Sequence, residues 1–174
     1  MAGDIKDKYI ASVAPTVTNL HSLASSQDWT AGWCSAAVDN TTNCYLDYIY
    51  AGTFTTHASN RQAGVINVYV IPSLNDTPTW PATASGTIGT EGALSFADTE
   101  ERDAICIPIA SITVDNSASA IYPLVARAIA AYFNGEMPSH HAIFIAHNCS
   151  TTTTAGLASA GSAMYYTPKT KQYT

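Results

Sequence analysis

Between Asn43 and Thr56 the chain alternates with a period of two. Cys44, Leu46, Tyr48 and Tyr50 fall on one face, Tyr45, Asp47, Ile49 and Ala51 on the other, and Phe54 follows after Gly52-Thr53. Successive side chains of an extended strand point to opposite faces, so this spacing predicts a half-buried β-strand, entered through the turn-forming Val38–Thr42. Similar runs recur. Gly64–Ile71 is β-branched and stopped by Pro72, and Ala104–Val114 is another, with Pro108 marking a bulge or an edge position. Ala142–His147 is a short buried run, Met164–Thr167 a last one, and Thr56–Ala63 a hairpin-type loop.

Two stretches are less regular. Residues 72–103, rich in Pro, Gly, Thr and acids, are too long for a plain connection and should contain a short strand around Ala93–Phe96 or a functional loop. Ile121–Phe133 fits a helical stripe (Ile121, Val125, Ile129, Tyr132) as well as a strand, before the turn dipeptide Asn134-Gly135. About seven to nine short strands with at most one short helix predict an all-β fold, a jelly-roll-like β-sandwich with long loops. Residues 1–27 hold apolar patches (Tyr9-Ile10, Val13, Val17, Leu20, Leu23) without a helical period. They read as an extended N-terminal arm or edge strand, leaving 28–174 as the sandwich domain.

Composition narrows the function classes. At 174 residues the chain can sustain one hydrophobic core, but only 11% of it is charged, against about 25% in an average soluble domain. Thirteen acids against seven bases give a net charge of −6, which argues against a nucleic-acid footprint and a polybasic membrane anchor. No run approaches the ~20 apolar residues of a membrane helix. The N-terminal residues are polar, with no apolar signal region behind them. Cys34, Cys44, Cys106 and Cys149 form no C-x-x-C, and read as buried free thiols of a protein made in a reducing cytoplasm.

Candidate chemistry is sparse. The acidic run Asp98–Asp103 lacks the spacing of a calcium loop and reads as a solvated turn. His140 and His141 would point to opposite faces of a strand, while His141 and His147 would share a face but lie ~20 Å apart. No nucleophile elbow is present, since Ala158-Ser159-Ala160-Gly161-Ser162 lacks the first glycine. The expectation is a protein without catalytic residues, cofactor or metal. Trp29, Trp33 and Trp80, with ten tyrosines, are more informative. They are either core residues or the aromatic anchors that dominate binding interfaces; on a β-sandwich, exposed ones could also stack on sugars.

Leu20-His21-Ser22-Leu23-Ala24-Ser25-Ser26, Ala37–Tyr48 with its Val38-Asp39-Asn40-Thr41-Thr42-Asn43 core, and Tyr132–Pro138 leading into Ala142–Asn148 carry a family likeness. Together these segments resemble a family of small virion proteins of tailed bacteriophages, similar in kind to head decoration (cement) proteins with a jelly-roll sandwich. The likeness runs from about Leu20 to the end, on structural rather than catalytic motifs. Two positions depart from it: a usual Gly-Gly is Asn134-Gly135, and a usual aromatic before the late strand is His141. The resemblance implies a protein made in the bacterial cytoplasm that sits on the outer surface of the capsid. It would bind the major capsid protein, as a homotrimer, without nucleic acid or membrane. Tyr9, Trp29, Trp33 and Trp80 are the candidate partner-binding residues. A tail or fibre module and a carbohydrate-binding module are the alternatives.

Overall fold

The computed structural model describes residues 4–81, 84–151 and 154–173. In chain order it forms β1 (Ile5–Tyr9), β2 (Ala31–Cys34), β3 (Val38–Asp39), β4 (Asp47–Thr55), β5 (Gly64–Pro72) and β6 (Gly92–Ser95). Helix α1 (Thr99–Ile105) follows, then β7 (Ile107–Val114), β8 (Ile121–Ala128), β9 (His140–His147) and β10 (Ala163–Tyr173). The strands make two antiparallel sheets: a four-stranded one in the order β1-β10-β4-β8, and a six-stranded one in the order β6-β2-β9-β5-β7, with β3 also paired to β9. The expected all-β sandwich is the architecture observed.

The period-two pattern of β4 explains how the sheets meet. Tyr48, Tyr50 and Phe54 turn inward and are buried against Trp33, Ile66, Val68 and Ile145 of the larger sheet. The larger sheet carries a second core on its far face, where Tyr69, Ile71, Ala142 and Phe144 lie under Ile88, Leu94, Phe96 and Cys106. The cover comes from the long segment after Pro72, which supplies Ile88, Phe96 and the end of α1 and also contributes β6 as an edge strand of the same sheet. A central strand with a core on each side has no solvated face, and all eight residues of β9 are buried. Its unbroken run Ala142–Ala146 is the sequence signature of that position.

Several expectations are corrected. Thr56–Ala63 is not a hairpin, because β4 and β5 belong to different sheets and the loop crosses between them. Cys44 lies outside the strand, exposed and at φ 47°, where the chain turns into β4. The acidic run is a helix start: Asp98 accepts the amide of Glu101 at 2.8 Å, and Glu101 reaches back to the amide of Ala97 at 2.6 Å. That reciprocal arrangement is a capping box in function, and the Asp-x-x-Glu spacing announced it. Residues 121–133 divide into strand β8 and a 3-10 turn over Ala130–Phe133, closed by left-handed Asn134. Pro108 does mark a bulge, where the register of β5 on β7 shifts.

The segment before Gln27 lies on the chain's own sheet. β1 pairs with β10, and Val13 continues the contact by exchanging backbone hydrogen bonds with Tyr166. Leu20 and Leu23 then enter the main core.

Candidate interaction surface

Sheet alternation sets the chemistry of the outer face of the four-stranded sheet. With Tyr48, Tyr50 and Phe54 inward, β4 turns Ile49, Ala51 and Thr53 outward, beside Thr167, Tyr165 and Ala163 of β10. On the other flank Ile121 and Val125 of β8 are each about two-thirds exposed. No third layer covers this face among the described residues, in contrast to the larger sheet.

At its other edge the sheet runs out into a two-stranded tongue. β10 pairs with β4 only up to Lys169↔Asp47, while its remaining residues to Tyr173 pair with β1 alone. The register places Ile5 beside Tyr173, Asp7 beside Lys171 and Tyr9 beside Lys169 on one face, and Lys6, Lys8, Thr170 and Gln172 on the other. On the first face Asp7 bridges Lys169, at 2.8 Å, and Lys171. Hydrogen bonds from those lysines pull the Asp7 carboxyl down to about 2 and push the Lys169 amine up. Around this ion-paired triad, net +1, Ile5, Tyr9 and Tyr173 are 56%, 60% and 77% exposed. Lys6 and Lys8 make no ion pair with any described residue.

The structure separates the four aromatic residues expected to bind a partner. Tyr9 stands exposed on the tongue. Trp33 is fully buried in the main core, its indole N–H donating to Glu91 at 2.8 Å, so it is a core residue rather than a surface anchor. Glu91 also accepts from the amide and side chain of Asn19. Burial opposes its ionisation, but these hydrogen bonds prevail and hold its carboxyl below the usual range. Trp29 and Trp80 are half-buried against the second core. Trp80 lies on Gly89, at φ 80°, where a side-chain carbon would come within 2.9 Å of the indole. The three tryptophans do not share a site with Tyr9. Sequence reading missed Ile5, Tyr165 and Tyr173, and the lysines of the tongue. The signal was present, as a Lys-x-Lys pair near each end of the chain (Lys6, Lys8; Lys169, Lys171).

Most of the groups suited to proton transfer or nucleophilic attack are withdrawn from the surface. His141 is fully buried beside Tyr48, hydrogen-bonded through Nε2 to the Tyr50 hydroxyl at 2.8 Å, and burial pushes it down to about 3. His147 is held between the Leu23 carbonyl, 2.9 Å from Nε2, and the Cys149 amide, which donates to Nδ1; burial pushes it down to about 4. Both are therefore neutral core residues at pH 7. They face the main core from one side of β9, with His140 on the other side. Burial raises the Cys34, Cys106 and Cys149 thiols, Cys34 to about 11. Among the described residues no three His, Cys, Asp or Glu side chains gather as a metal site. No described helix is long and apolar enough to cross a membrane.

The fold and surface together define a class: an all-β, two-sheet protein with its exposed chemistry on one open sheet face and a projecting tongue. No protein-family model, curated protein or solved structure matches the chain.

Proposed function

We propose that the chain is a contact-making virion protein, a bacteriophage head decoration protein that binds the outside of the assembled capsid and braces neighbouring capsomers. The observation that carries this reading is the open outer sheet face with its tongue, where Ile5, Tyr9, Tyr165 and Tyr173 stay exposed. Tyrosine with aliphatic neighbours is the composition of a protein-binding patch. The segment likeness to small phage virion proteins points the same way. The partners are the major capsid protein and further copies of the chain, as a trimer. A ligand that binds only the assembled lattice stabilises it by mass action, and repeated sites multiply the effect.

Quantitative mass spectrometry of purified DNA-filled heads without tails tests the reading. Hundreds of copies per head are expected. Absence from such heads, with presence on tails, would move the chain to the tail or fibre role. A sugar-binding role has less support, because Gly89 lies against the Trp80 indole, the ring that would have to stack on a sugar.

A further inference from the structure

All four lysines of this acidic chain lie on the tongue. With Asp7 as its one acid, the Ile5–Tyr9/Lys169–Tyr173 ribbon carries net +3. The remainder, three arginines against twelve acids, carries −9. Two copies of the chain therefore repel one another except where the tongue of one meets the body of the other. The tongue also needs cover. An isolated two-stranded ribbon is marginal in water, and this one projects about four residues, ~14 Å, past β4.

The body offers a groove of matching chemistry. A cleft of about 520 Å³ is lined by Leu46, Tyr45 and Met137, with the exposed carboxylates of Asp76 and Glu136 on its wall. We infer that the tongue of one copy docks head-to-tail in the Leu46–Met137 groove of the next through its Lys6–Lys8 face, the two ammonium groups meeting Asp76 and Glu136 while the alkyl stems of the lysines, beside Thr170 and Gln172, cover Leu46 and Met137. Two-fold pairing of tongues is disfavoured, since antiparallel β1–β1 pairing about Asp7 would set Lys6 against Lys8 of the other copy. A head-to-tail contact uses two different patches and closes into a ring where the rotation permits. The inference deepens the self-association in the proposed function, but needs no capsid.

Light scattering and sedimentation of the purified full-length chain test it, at 50 mM and 500 mM salt. Oligomers are expected at low salt, with at least about tenfold weaker association at high salt, since rim charges are screened. Lys6→Glu with Lys8→Glu should yield monomers, as should Asp76→Lys with Glu136→Lys. The quadruple variant should associate again, and circular dichroism should be unchanged in all three. A wild-type chain that stays monomeric at low salt overturns the inference, leaving the lysines only to blunt a sheet edge. So does an oligomer that survives both double variants. Failure here with hundreds of copies on heads would leave the capsid role standing, and the reverse result would leave the tongue contact standing.

Discussion

Every residue of β9 is buried and every residue of β1 is exposed, although both strands are held by antiparallel ladders. β9 lies between two neighbours and under two cores, so its side chains are fixed by packing and its histidines stay neutral. β1 has one neighbour and no core, so backbone bonds and the Asp7–Lys169–Lys171 triad hold it while its side chains stay free for outside contacts. Buried packing is concentrated in the first strand and exposed side chains in the second. A substitution that damages folding should therefore differ from one that damages association.

The largest effect should come from Phe144→Ala, which empties the second core beside Tyr69 and Phe96. Urea unfolding should show a loss of about 3–5 kcal/mol. Tyr9→Ala should leave the urea midpoint nearly unchanged, and an equal loss there would break the contrast.

Acid should have an effect of similar size, again through β9. The folded-state values of His141 and His147, about 3 and 4, lie below the unfolded value of 6.5. As pH falls below 6.5 the unfolded chain takes up protons that the folded chain refuses. The stabilisation is thus full above pH 6.5 and declines until the folded values are reached. At about 1.4 kcal/mol per pH unit for each group, the loss at pH 4.5 is on the order of several kcal/mol. Equal urea midpoints at pH 7.5 and pH 4.5 would show that the histidines are not buried as described, and His141→Gln should flatten the slope.

A smaller loss is expected for Glu91→Ala, which leaves the buried Trp33 N–H without its acceptor. About 1–2 kcal/mol is the usual cost, read from the same unfolding curves together with a shift in tryptophan fluorescence. The smallest global effect belongs to Asp7→Asn. Melting should not move, but amide exchange in β1 should accelerate while β9 keeps its protection, because the triad bridges β1 to β10 alone. Slow exchange in β1 of the variant would mean that the tongue is held by something other than these ion pairs.

Much of the sandwich was legible because alternation and turn chemistry are local. Tyr48, Tyr50 and Phe54 announced the inward face of β4, and the unbroken Ala142–Ala146 run announced a strand with two dry faces. The candidate interaction surface was legible only in part. Tyr9 was recognisable by type, but Trp33 looks the same in sequence as an exposed tryptophan, and its burial depends on β2 lying between β6 and β9. Cys44 shared the strand period and still fell outside the strand, since periodicity cannot report a positive φ.

By itself the sequence determined that the chain is β-rich, acidic and short of charge, and that its lysines stand in two Lys-x-Lys pairs near its two ends. Tertiary structure alone decided that these pairs lie on one ribbon, because β1 and β10 are more than 150 residues apart and only the folded sheet sets them side by side. Period and composition are properties of neighbouring residues. Which surface a charge or a ring finally occupies is set by pairings between strands distant along the chain, and those follow from burying both faces of the larger sheet.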